Sequence, residues 1–247
     1  MKKKIVSLCL IVALLAIAII GGTLAYFTDY ETAKNVMTVG NVDIEQIEQQ
    51  RAANGGLEPF APGKPLLPMG ADPAWAEENV TVNGDSFKVF DSENVIDKIV
   101  TVKNNGNVDA YVRTIVALEA GKTAEQAKDL WYNYIGVTDN SDKGETISSE
   151  DNDLFVKIGD TYYIIVVYTY EDAIAAGTES AASLTGVALY AETKQETVAD
   201  FEGDYEVLVL SQAVQAADMG DDAGAALDLA FGDVDATNVA KWFADVA

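Results

Sequence analysis

Apolar and polar residues alternate with a period of two over most of the chain, and the alternation is cleanest near its middle. Val108, Ala110, Val112, Thr114, Val116 and Leu118 fall on one face of an extended segment, with Asp109, Arg113 and Glu119 on the other. That pattern predicts a strand in a sheet with one buried face. Upstream, residues 97–103 alternate in the same way, and Asn104-Asn105-Gly106-Asn107 separates the two runs, so the pair reads as a hairpin. Two more hairpins are predicted. Val80–Val82 and Phe87–Phe90 flank Asn83-Gly84, and Leu154–Ile158 and Thr161–Tyr170 flank Gly159-Asp160. The arm Thr161–Tyr170 is apolar on both faces and should be a central strand covered on both sides. Further strands are expected at Asn35–Ile47, bulged at Gly40-Asn41, at Leu184–Ala191 and at Tyr205–Leu210.

Three stretches break the alternation. All five prolines (Pro59, Pro62, Pro65, Pro68, Pro73) lie in residues 49–79. They predict a long extended connection with a short edge strand at Lys64–Leu67, held on a sheet by Leu57, Phe60, Leu66, Leu67, Met69 and Trp75. Thr123-Ala124-Glu125-Gln126 is a capping box opening a short helix through Tyr132. Beyond Leu210 the text becomes alanine-rich and helical. It predicts a helix over Ser211–Ala217, a second over Ala223–Phe231 capped by Asp221 or Asp222, and a third to Val246 capped by Asp235 or Thr237 and bearing Val239, Trp242 and Phe243. The fold class predicted is therefore mainly β. It is a jelly-roll-type β-sandwich over residues 35–210 with a small α-helical C-terminal appendage over 211–247.

The first residues carry a different pattern. Lys2, Lys3 and Lys4 precede an apolar run from Ile5 to Ile20, followed by Gly21-Gly22 and by Thr23-Leu24-Ala25. A basic start, an apolar run and small residues at the −3 and −1 positions read as a secretory signal peptide over residues 1–25, cleaved before Tyr26. The competing reading is an uncleaved anchor, because Ile5–Phe27 approaches the roughly 20 apolar residues that span a bilayer. Cys9 does not make a lipoprotein signal, since Leu8 precedes it where a small residue is needed. The expected location is outside the cell or on its surface, with membrane contact only through an uncleaved signal peptide.

Composition then excludes most chemistry. Without residues 1–25 the 16 basic side chains fall to 13 against 40 acidic ones, a charge near −27, which repels nucleic acid and anionic lipid. The lone cysteine leaves with the signal peptide, so disulfides, thiolate metal sites and cysteine nucleophiles are not expected. No histidine is present, so neither an HExxH zinc helix nor a Ser-His-Asp relay can be written. Asp139, Ser141, Gly144 and Glu150, within the polar loop expected over Thr138–Asp153, match four positions of a calcium loop. Lys143 stands where an oxygen ligand is required, so the stretch reads as a solvated acidic turn. No metal, cofactor or catalytic residue is expected. The tyrosines at 162, 163, 168, 170 and 190 read as β-sheet packing.

Gly21, Gly22, Thr23, Ala25, Phe27, Asp29, Asn35, Val39, Gly40, Val42, Asp43 and Ile44 follow one another in a characteristic order and spacing. They resemble the start of the TasA and camelysin family of Gram-positive bacteria, exported proteins processed by a SipW-type signal peptidase. Residues 101–114 also look like the family's central hairpin. The resemblance implies the same sandwich. It further implies head-to-tail fibre assembly, as in a biofilm matrix, in which an N-terminal segment of one subunit completes a sheet of the next. Here that donor strand would be residues 26–34, with Tyr26, Phe27 and Tyr30 in it, and Thr23, Ala25 and Tyr26 would mark the cleavage site. The camelysin branch is associated with metalloprotease activity, which the absence of histidine opposes. The expectation is a secreted structural subunit that self-associates into filaments, with a monomeric surface binding module or adhesin as the alternative and a carboxylate hydrolase as a third reading.

Overall fold

A computed structural model describes residues 28–31, 42–64, 80–82, 85–87, 94–131, 134–135, 144–147, 155–189 and 205–244. Its strands are β1 (Thr28–Glu31), β2 (Ile44–Arg51), β3 (Leu57–Pro59), β4 (Val80–Val82), β5 (Asp85–Phe87), β6 (Ile96–Asn104), β7 (Ala110–Gly121), β8 (Tyr134–Ile135), β9 (Gly144–Ile147), β10 (Phe155–Ile158), β11 (Thr161–Tyr170), β12 (Leu184–Leu189) and β13 (Val207–Gln215). The helices are α1 (Ala124–Trp131), α2 (Ala223–Phe231) and α3 (Ala236–Phe243).

Two antiparallel sheets face each other. The first runs β1-β13-β7-β11-β10, with β9 also on β11, and the second runs β3-β2-β6-β12-β8. Val116, Leu118, Ile164, Val166 and Val209 of the first sheet pack on Val100, Leu184, Val187 and Leu189 of the second. At the other end Val112, Tyr168, Tyr170 and Ala213 meet Ile44 and Val102. The mainly β sandwich expected from the alternation is therefore observed.

The outer face of the first sheet is not solvated. Ile115, Ala117, Tyr163, Ile165, Val167, Leu210 and Val214 are covered by Leu227 and Phe231 of α2 and by Val239, Trp242 and Phe243 of α3. Strand β7 is buried at every residue, so the expectation of one buried face was incomplete. Strand β11 is the central, doubly covered strand its apolar run predicts. The helices begin where their caps place them. Thr123 Oγ1 accepts from the Gln126 N–H at 3.2 Å while Gln126 Oε1 accepts from the Thr123 N–H at 3.0 Å. Asp222 and Asp235 accept from the Ala225 and Asn238 N–H groups at 2.9 and 2.8 Å. Each carboxylate satisfies a donor that the first helical turn leaves orphaned.

Five local expectations are corrected. Strands β6 and β7 are not a hairpin: β6 pairs with β2 and β12, and β7 with β11 and β13, so Asn104–Asn107 carries the chain from one sheet to the other. Asn104 is fully buried there. Its Nδ2 donates to the carbonyls of Val108 (2.8 Å) and Ile174 (2.9 Å), and its Oδ1 accepts from the Gly106 N–H at 2.9 Å. This one side chain ties the crossing from β6 to β7 to the return from β11 to β12. Second, Ser211–Gln215 is the end of β13, not a helix, because pairing with Arg113–Ala110 of β7 and with β1 outweighs the helical preference of alanine and glutamine.

The remaining three concern the first strand, the proline-rich stretch and the polar loop. The first strand of the second sheet continues past Ile47 to Arg51, and the expected bulge at residues 40–41 lies outside the described residues. The short edge strand is Leu57–Pro59, not Lys64–Leu67: Lys64 is not in a strand, and residues 65–67 lie outside the described residues. Within the expected polar loop, Gly144–Ile147 forms β9 on β11, so Gly144 opens a strand and does not turn a calcium loop. The hairpins at 80–87 and 155–170 are observed, the first with its second arm starting at Asp85.

Candidate assembly edge of the first sheet

The feature with most bearing on function is where the N-terminal arm lies. Strand β1 pairs antiparallel with β13, Thr28 opposite Val214, Asp29 opposite Ala213, Tyr30 opposite Gln212 and Glu31 opposite Ser211. Without β1, the edge of the first sheet is β13, whose N–H and C=O groups would present a template for another strand. The arm therefore occupies an edge, and it comes from the far end of the sequence.

Behind that edge lies a polar row inside an apolar layer. Arg113 is 1 % exposed. Its Nε donates to Gln212 Oε1 at 2.7 Å, one terminal nitrogen donates to Asp228 Oδ1 at 2.6 Å and the other to the Gly232 carbonyl at 3.1 Å. The guanidinium also lies 5.0 Å from the centre of the Trp242 ring. One cation thus joins β7, β13, α2 and α3, and its burial is compensated by a carboxylate, two oxygens and an aromatic face. On the opposite face of β13, Ser211 donates to Gln46 Oε1 of the second sheet at 2.8 Å and lies 3.4 Å from Thr114 Oγ1. Strand β13 is thus fixed from both sides.

The start of β13 is held too. Tyr163 donates to Glu206 Oε2 at 2.8 Å, and the Glu206 N–H donates to Glu119 Oε2 at 2.9 Å. Burial, followed by the adjacent Glu206 carboxylate, pushes the Tyr163 hydroxyl well above its ordinary pKa. Burial also raises Tyr170, which accepts from Ser180 at 2.9 Å and donates to the Ala181 carbonyl at 2.9 Å.

The cleavage residues Thr23, Ala25 and Tyr26 and the arm residue Phe27 lie outside the described residues; Tyr30 lies in β1. Sequence reasoning missed Arg113 and Gln212 as parts of the edge. The available signal was the apolar face of α2 and α3, which needed a surface to cover and could find it only on the outer face of a sheet.

Residues 1–59 match the model of the camelysin metallo-endopeptidase family. The resemblance at the start of the chain is thereby shown. The matched part contains β1, β2 and β3, hence one strand of the first sheet and two of the second. No curated protein and no solved structure matches the chain.

The family's name implies a metal-dependent peptidase, and the residues of this chain do not fit such a centre. The sequence has no histidine, and its one cysteine is Cys9. An acidic concavity of about 600 Å³, lined by Glu171, Asp221, Asp222, Asp228 and Asp233, has Arg113 in its wall. Asp228 already pairs with that guanidinium. Among the described residues no three side chains of ligating type come together so as to hold a metal ion.

Proposed function

We propose that this camelysin-like chain is an exported structural subunit of extracellular matrix or cell-surface fibres, and not an enzyme. The observation that carries the reading is the pairing of β1 with β13. The segment that a signal peptidase would leave at the N-terminus is a strand, and the fold offers it an edge. Exchange of that strand between copies gives a heterologous contact, and a heterologous contact that does not close gives a filament. The sandwich is read as jelly-roll in type, released by a SipW-type peptidase after Ala25 and kept soluble between copies by its acidic surface.

One observation favours a second reading. Here β1 lies on the β13 of its own chain, a closed arrangement that would suit a monomeric surface binding module equally well. Electron microscopy of protein beginning at Tyr26, over a range of concentrations and with calcium or EDTA, separates the two. Filaments that vanish when residues 26–34 are removed, while the circular dichroism of the domain is kept, support the fibre subunit. Monomers under every condition support the binding module, and polymers from the truncated protein would sink strand donation.

A further inference from the structure

At one end of the sandwich the packing between the sheets stops short and leaves a cleft of about 180 Å³. Its floor is apolar. Ile96 of β6 and Val187 of β12, opposite each other in the second sheet, line it together with Val207 at the start of β13. Val187 belongs to the buried cluster between the sheets and Val207 packs against that cluster, so the cleft continues the core. One wall is the segment that follows β3. The Phe60 N–H donates to the Glu48 carbonyl at 3.0 Å and the Ala61 N–H to Gln50 Oε1 at 3.1 Å, which pins this wall to β2 before any ligand arrives.

Two ammonium groups lie near the Phe60 ring, Lys98 at 4.3 Å and Lys64 at 5.4 Å from its centre, and both lysines line the cleft. They are not equivalent. Lys98 is 5 % exposed, and Glu48 meets its charge at 2.5 Å. Lys64 is exposed and forms no ion pair among the described residues. The carboxylates next in sequence to the lining are engaged elsewhere: Asp97 holds Arg51, and Glu206 accepts from Tyr163, which packs on the outer face of the first sheet. Apolar walls and one uncompensated cation thus come together, in a chain whose formal charge is −24.

We propose that this cleft is a binding site for a small amphipathic carboxylate, an aromatic or short aliphatic acid. Its apolar part extends the core between Ile96, Val187 and Val207, and its carboxylate lies beside Lys64. Volume sets the size class, since a cavity of about 150 Å³ takes benzene and this one has room for a ring with a short acidic chain. Burial of apolar surface supplies the affinity, and Lys64 chooses the charge. The site does not depend on strand donation. It would equip a fibre subunit or a surface binding module alike.

The test is a titration of the methyl-labelled chain beginning at Tyr26 with hydrocinnamate and with its neutral amide, hydrocinnamamide. Saturable shifts of the Ile96, Val187 and Val207 methyl resonances report occupancy. Hydrocinnamate should bind about threefold to fivefold more tightly than the amide, the gain of one exposed ion pair. Added salt should narrow that advantage. Lys64→Gln should lower the acid to the affinity of the amide and leave the amide unchanged; Lys64 is exposed, so the variant should keep the fold. No saturable shift at these methyl groups with either compound overturns the site. Equal binding of acid and amide by the wild type, or an advantage of the acid that persists in Lys64→Gln, overturns the pairing of a carboxylate with Lys64 and with it the ligand class.

Discussion

The two sheets are closed in opposite ways along the edges that the camelysin-like segment supplies. In the second sheet, β3 returns beside β2 through a tight turn in which the Ala52 N–H donates to the Gly56 carbonyl at 2.8 Å and the Gly55 N–H to the Ala52 carbonyl at 2.9 Å. Pro59 lies opposite Gln49 and brings no N–H to the edge. The Arg51 guanidinium holds Asp97 through bonds of 2.7 and 2.9 Å, the Arg51 N–H adds one of 3.2 Å, and Lys98 pairs with Glu48 at 2.5 Å beneath the Phe60 ring. The strand that closes this edge, β3, is the neighbour of β2 in sequence. In the first sheet the closing strand, β1, comes from the opposite end of the chain. A strand bound to a remote edge through four residue pairs can be replaced by the same strand of another copy at no loss of contacts, whereas β3 cannot leave without undoing its turn. On the strand-donation proposal, only the edge of the first sheet can exchange its closing strand.

The strongest way to break that contrast is to remove the support behind β13. Arg113→Ala leaves Asp228 and Gln212 without their cation and Trp242 without its partner, and should destabilise the protein by about 3–5 kcal/mol in urea denaturation. Hydrogen exchange should show the loss at β13, α2 and α3, while β2 and β3 keep their protection at matched global stability. Equal loosening of both edges would mean that the helical layer does not distinguish them.

Asn104→Ala attacks both sheets together. It strips donors from the Val108 and Ile174 carbonyls at the point where the chain changes sheet, and should cost about 2 kcal/mol. Because its partners belong to both crossings, the expected result is a loss shared by β6, β7 and β12, with no preference for either edge. A smaller cost of about 1 kcal/mol is expected from Asp235→Ala, which removes the cap of α3 and, through Trp242, relaxes the layer behind β13 alone.

Alkaline pH provides a graded version of the same experiment. Tyr163 holds the residue just before β13, and its native pKa is raised by burial and by Glu206. For an acid raised on folding, the stability is fully present below the unfolded value of about 10 and is lost as pH climbs from there through the native value. Denaturation midpoints should fall above about pH 10. Tyr163→Phe should make that fall shallower without abolishing it, because Tyr170 is raised as well. An unaltered slope in Tyr163→Phe would remove this residue from the account.

Much of the frame is legible in local text. The doubly apolar Thr161–Tyr170, the Gly159-Asp160 turn, the Thr123–Gln126 box and the caps at Asp222 and Asp235 are set by neighbours a few residues away, and all appear as read. What resists reading depends on distant partners. An alternating pair of strands around Asn-Gly looks the same whether it folds back as a hairpin or turns a corner between sheets; the choice is made by β2 and β12, far off in the sequence. Ser211–Gln215 has helical composition and becomes strand only because β7 and β1 pair with it. Arg113 reads as a solvated position until α2 and α3 cover it. The assembly edge inherits this difficulty, since β1, Gln212 and Asp228 meet only in the folded chain.

The smallest effect is expected where the contrast predicts indifference. Arg51 is 28 % exposed and Asp97 13 % exposed, so Arg51→Ala removes a partly screened pair and should cost about 0.5–1 kcal/mol. Its effect should stay at β2 and β3. The proposed strand exchange at β13 would not involve these residues, so on that proposal any filaments should form at the wild-type concentration and β1 should exchange its amides at the wild-type rate. If Arg51→Ala instead alters assembly, the second sheet's edge takes part in it. The division between a locked edge and an exchangeable one would then give way to a filament contact that uses both.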